Sequence, residues 1–162
     1  MQRELKNIGS RMKALQKGPA WHGKSLEEAL LSLDWQDAHK TPFPGSHSIW
    51  EYVLHIIAWR KFAIERIKGN AGFHIEIGGE IDWPKVEEVS EENWGKAQVQ
   101  LRNSSQMLRD LLRKKEDKLL EKEVEKKPYS FYILLHGIVQ HDAYHCGQIV
   151  LTKKFLEQSQ TS

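Results

Sequence analysis

SFYILLHGIVQHDAYHCGQIVLTKKFL, residues 130–156, decides how the chain is read. Leu134, Ile138, His141, His145, Ile149 and Thr152 follow one another at steps of three or four, the repeat of a helix with one apolar face. The spacing predicts a long helix from about Ser130 to Leu156, with Gly137 and Gly147 its only weak points. Residues four apart on a helix differ by about 40° in direction, so the two imidazoles of His141-Asp-Ala-Tyr-His145 share the stripe that should face the core. His136, nine residues before His145, falls about 180° away and does not join them.

Outward from this segment, helical periodicity dominates. Leu5, Ile8, Met12 and Leu15 predict an opening helix stopped by Gly18-Pro19. Ser25-Leu-Glu-Glu28 is a capping box for a short helix carrying Leu26, Leu30 and Leu33, expected to end by Thr41-Pro42. Ser48-Ile-Trp-Glu51 is a second capping box, opening a long helix to about Lys68 that Gly69-Asn70 closes. A third long helix starts at the Ser90 cap, with Trp94, Ala97, Leu101, Ser104/Ser105, Leu108 and Leu111/Leu112 on its inner face. Residues 71–89 hold five acids and one lysine, and read as an exposed connection, with a short strand pair around Phe73–Ile77 as the alternative. The mixed-charge run Arg113–Lys127 reads as a solvated face. The expectation is an all-α protein: one four-helix bundle domain over residues 1–162, with an additional short helix and a long connection between the second and third long helices.

The 162 residues carry 24 Lys+Arg against 22 Asp+Glu, too even a balance for a nucleic-acid partner to be expected. Cys146 is the only cysteine, which excludes an intrachain disulfide and thiolate-rich metal sites. The longest uncharged run, Pro128 to His141, has 14 residues, short of the roughly 20 a membrane span requires. Met1 to Ala20 has no hydrophobic signal core, and a soluble, cytoplasmic protein is expected. Eight histidines and six tryptophans stand out.

Two neutral imidazoles buried without partners cost about 1–3 kcal/mol each, and a metal ion would satisfy both lone pairs at once. Two hydrogen-bonded core histidines are the alternative. His55 adds weight to the metal reading. It sits mid-way along the second long helix among Tyr52, Ile56 and Ala58, and antiparallel packing would set it opposite His141 and His145. Three imidazoles would leave an ion its full charge and an open position, as in catalytic rather than structural sites.

His47-Ser-Ile-Trp-Glu-Tyr-Val-Leu-His55-Ile56, His141-Asp-Ala-Tyr-His-Cys-Gly-Gln-Ile149 and Trp21-His-Gly-Lys-Ser-Leu26 together resemble the DinB-like proteins, also called YfiT-type metal-dependent hydrolases. The resemblance covers most of the chain. It implies a four-helix bundle with a divalent ion on His55, His141 and His145, nickel or zinc foremost, iron or manganese otherwise. It also implies homodimers and, among relatives, thiol-S-transferases that use bacillithiol, mycothiol or glutathione analogues.

Other residues carry weaker expectations. Glu51 could orient His55 or act as a base, although its capping role is simpler. Trp59, Gln148, His22 and His47 are candidates for a pocket wall or mouth. Cys146 reads as a small buried hydrophobe, and the tryptophans chiefly as core. Three readings result: a metal-dependent enzyme activating water or a low-molecular-weight thiol for a small-molecule substrate; a non-catalytic metal-binding bundle, such as a stress-response accessory; and, against the charge balance, a nucleic-acid accessory.

Overall fold

The computed structural model describes residues 3–159, so the expected domain limits at residues 1 and 162 lie outside the described residues. Among these the chain is all-helical, with α1 over Arg3–Lys17, α2 over Leu26–Leu30, α3 over Trp35–His39, α4 over Ile49–Ile67, α5 over Glu91–Arg113 and α6 over Phe131–Ser159. Both capping boxes form: Ser25 accepts from the Glu28 amide and Ser48 from the Glu51 amide, with each glutamate reaching back. Gly69 follows the last turn of α4 at φ 84°, a conformation that costs a residue with a Cβ.

Three expectations need correction. The single short helix is two, because the Asp34 carboxylate accepts from the Asp37 amide at 2.8 Å and caps a fresh start after Leu33. No strand forms around Phe73–Ile77 among the described residues, where only isolated bridges occur elsewhere. The run Arg113–Lys127 is not merely solvated. Leu120 and Val124 are buried, and Asp117, in a 3-10 turn, accepts from the Glu4 and Leu5 amides at 3.1 and 3.0 Å, satisfying free donors at the start of α1.

The four long helices form a ring in which α1 and α4 each pack against both α5 and α6. Helices α4 and α6 are antiparallel, since Tyr52 meets His145 with ring centroids 5.6 Å apart and Trp59 meets His141 at 5.8 Å. Helices α4 and α5 are parallel: Trp50 contacts Trp94 at 5.2 Å, and ten residues on, Arg60 reaches the Leu101 carbonyl at 2.9 Å. Parallel neighbours require the chain to return the length of α4, about 28 Å at 1.5 Å per residue, so residues 68–90 must cross back along the bundle. That return tucks Ile75 and Asp82 inside, and the connection is not simply exposed.

Apolar side chains gather in two clusters, one around Ile8, Phe62, Leu108 and Leu135, the other around Leu26, Ile56, Leu101 and Ile149. Between them each long helix supplies one polar side chain. Arg60 of α4 donates through Nε to Asp142 of α6 at 2.7 Å and through Nη1 to Gln16 of α1 at 2.9 Å and Ser104 of α5 at 3.2 Å. Arg60 and Asp142 are both fully buried. Removing one partner strands the other charge in a low-dielectric layer, so Asp142→Ala should cost about 3–5 kcal/mol. Urea denaturation should show this loss, with the double replacement Arg60→Met/Asp142→Leu less damaging than Asp142→Ala alone.

Candidate metal centre

His55 of α4 and His141 and His145 of α6 converge at the level just past the Arg60 layer. Their ring centroids form a near-equilateral triangle with sides of 4.8, 4.6 and 4.4 Å. One nitrogen from each lies within 4.8 Å of the others, so the three could hold a metal ion. His55 and His145 are buried, while His141 lies at the flank, half-covered. The core line of α6 therefore runs through Leu135, Ile138, Asp142 and Cys146, slightly to one side of the line through His141. His136 points elsewhere and approaches Glu4 of α1 at 3.2 Å.

Hydrogen bonds settle which nitrogens face inward. His55 Nδ1 lies 2.5 Å from the Asp82 carbonyl oxygen, which can only accept, so Nδ1 carries the proton and Nε2 keeps a lone pair. His145 Nδ1 donates to Gln148 Oε1 at 2.6 Å, which likewise frees its Nε2. His141 Nε2 sits 2.9 Å from His55 Nε2 and must donate to it, leaving His141 Nδ1 unprotonated. That Nδ1 is buried without a hydrogen-bond partner, and so is Asp142 Oδ1, 3.7 Å from it. A cation held by the three imidazoles would free the His141 proton to sit on Nδ1, on the side of that carboxylate. Three neutral imidazole donors fit a divalent metal ion.

The supporting shell comes from the crossing connection. Asp82 is buried, and its carboxylate approaches His55 Nδ1 at 3.2 Å while accepting from Trp59 Nε1 at 2.8 Å and from the Gly78 amide at 2.8 Å. Trp83 stacks on His55 at 3.8 Å and on His47 at 3.5 Å, both nearly parallel. Two rings that close and that well centred cannot share one face, so the indole is sandwiched between them. With Tyr52 it walls the cluster.

Of the residues singled out in sequence, Trp59, Gln148 and His47 reach this assembly, the first two by hydrogen bonds and the last through Trp83. His22 stays exposed in its loop and makes no contact with the cluster. Glu51 does not orient His55. Its Oε2 is occupied by the Ser48 amide and hydroxyl at 2.8 and 3.0 Å. Cys146 turns away, donating to the Lys24 carbonyl at 3.3 Å, and burial pushes its thiol up to about 11. Asp82, Trp83, Arg60 and Asp142 escaped the sequence reading. Asp142 adjoins His141, and Arg60 occupies a stripe position of α4 (Ile49, Val53, Ile56, Arg60, Ala63, Ile67), so a charge on an apolar face was the available signal.

The profile of the DinB superfamily matches residues 20–149, and the chain belongs to that superfamily. No curated protein and no solved structure matches it.

Burial, then the neighbouring His141 and His55, lowers the His145 pKa to about 4; burial is also the main cause holding His55 below its ordinary value. The unfolded chain, with imidazoles near 6.5, therefore binds more protons than the folded one between these limits. Metal-free protein should keep this contribution in full above about pH 6.5 and lose it as the pH falls toward 4, read as a falling urea midpoint. Loss of the Asp82 carboxylate in Asp82→Ala should weaken divalent-metal affinity about 10–100-fold by competition titration with a chromophoric chelator.

Proposed function

We propose that this protein is a divalent-metal-dependent enzyme in which His55, His141 and His145 hold the ion and a small molecule, water or a low-molecular-weight thiol, is activated. The convergence of three imidazole nitrogens from two antiparallel helices carries the reading. A bound ion would supply Lewis acidity, lowering the pKa of a water or thiol at a position the three ligands leave open. Nickel and zinc are the metals proposed, since imidazole donors suit both.

The chain's own groups have definable tasks. The Asp82 carbonyl and Gln148 hold the tautomers of His55 and His145 in the ligating form. Asp142, already anchored by Arg60, stands ready for the His141 Nδ1 proton. Trp83 and Tyr52 keep water from the buried side, whereas His141 lies where the cluster opens outward. With water as nucleophile the reaction is hydrolysis. With a thiol attacking an electrophilic carbon, the new carbon–sulfur bond forms as the leaving group departs, and the reaction is a transfer. The open side at His141 favours catalysis over a purely structural ion, because a closed structural site would present a fourth protein ligand.

Elemental analysis of protein purified without an affinity tag should give about one divalent ion per chain. His141→Ala and His145→Ala should each lose it and lower the thermal midpoint, while His136→Ala retains it. Metal content unchanged in both ligand variants would overturn the site. Assays pairing several small thiols with electrophiles, run beside ester and amide substrates, should reveal turnover that His145→Ala abolishes. Metal bound without any turnover would point instead to the non-catalytic bundle.

A further inference from the structure

Helices α1 and α5 supply no side chain to the histidine cluster, yet between them lies a cleft of about 300 Å³. Small-molecule sites occupy roughly 300–1,000 Å³, so the cleft suits a compact ligand. Its charged lining is Lys6 and Lys13 from α1 and Arg109 and Arg113 from α5, with no carboxylate among the lining residues. Four cations in one cleft contrast with a whole-chain charge of only +2.

Their partners do not account for them. Arg113 pairs with Asp110 at 2.7 Å. Lys6 and Lys13 make no ion pair among the described residues. Arg109 is only 7% exposed, and its Nε is buried without a hydrogen-bond partner. Its Nη2 donates to Gln106, a neutral acceptor that Asp110 holds in turn at 2.8 and 2.9 Å. Burial, followed by the neighbouring Arg113 charge, lowers the Arg109 pKa, against a smaller opposing pull from Asp110, which makes no ion pair with it. Burying such a group is unfavourable unless an anion meets it.

Gly9 borders this space. It lies between the lysines on the same face of α1, and a Cβ built there would meet nothing within 4 Å.

We infer that the α1–α5 cleft binds a small phosphate-bearing polyanion, with Arg109 at its floor and Lys6, Lys13 and Arg113 around it. A phosphoryl group offers several acceptors to donors that cannot accept, and its double charge answers three cations without carboxylate partners better than a monocarboxylate would. Leu5 and Leu112 line the same cleft and give a compact organic portion an apolar wall.

The test uses the full-length, metal-loaded protein with inorganic diphosphate as probe, by calorimetric titration and thermal shift at low, matched ionic strength against chloride. Diphosphate should raise the thermal midpoint where chloride does not. Lys13→Glu should weaken binding at least tenfold, and Gly9→Leu, which fills the cleft while favouring the helix, should abolish it. Both variants sit at exposed or open positions, and both should keep the circular dichroism and the metal content of the parent, which separates this site from the histidine cluster. Arg109→Gln, if folded, should also lose binding. An equal shift in parent, Lys13→Glu and Gly9→Leu, a shift matched by chloride, or no shift at all would overturn the inference. So would binding to phosphatidylserine vesicles without binding of diphosphate, since that describes a membrane-facing patch.

Discussion

One guanidinium holds four helices in register. Arg60 donates to a side chain from each of the other three long helices and to the Leu101 carbonyl, all at 2.7–3.2 Å. Apolar contacts above and below would tolerate sliding of one helix past another, because any i to i+4 shift still meets aliphatic neighbours. A buried charge does not tolerate it, since each misregistered state leaves a desolvated ion without its partner. The layer sits about one and a half turns of α4 beyond His55 and beside His141 on α6. A shift of a single turn, 5.4 Å, would carry His55 beyond reach of its two partners. Register and site are thus the same constraint, and Asp142 belongs to both, with one oxygen on Arg60 and the other toward His141.

Chain topology supplies a second link between fold and chemistry. Because α4 and α5 run parallel, the connection has to recross the bundle, and its route lies against His55 on the buried side of the cluster. A crossing segment that only spanned the distance would need few residues. This one has 23 between Ile67 and Glu91, and folds Ile75, Asp82 and Trp83 onto the bundle. Long connections in compact domains are commonly functional. Here the role is specific: a carbonyl and a carboxylate of one residue fix an imidazole, and the next residue's indole covers it.

Local signals carried most of the helix boundaries. Ser25, Ser48 and Ser90 each cap a helix where their side chains and the following acids indicated, and the three-or-four spacing of α6 correctly put His141 and His145 side by side with His136 apart. Those features are short-range, and short-range physics writes them into adjacent residues. What could not be read depended on distant partners. Asp82 sits among four other acids in a stretch whose composition says solvent, and only the return path of the chain makes it a buried hydrogen-bond acceptor. Trp21 is fully exposed although tryptophans as a group read as core, while Trp83 is enclosed by two imidazoles that lie 28 and 36 positions earlier in the chain. Asp34 was the local exception, a cap that a smooth run of leucines masked.

The electrostatics of the cluster argue for a cation from a different direction than its geometry does. Burial and the neighbouring imidazoles lower the pKa of His145 to about 4, and burial also lowers that of His55. Neutral imidazole is the ligating form, so protons would compete weakly with a metal ion for these lone pairs. The same arrangement costs stability whenever no ion is present, because His141 Nδ1 and Asp142 Oδ1 are then buried without hydrogen-bond partners. An arrangement serving only the apo fold would relieve this cheaply, by an alanine or a leucine at 141. Retaining it, and backing it with Asp82, Gln148, Trp59 and the Arg60–Asp142 pair, makes physical sense when a positive charge occupies the centre.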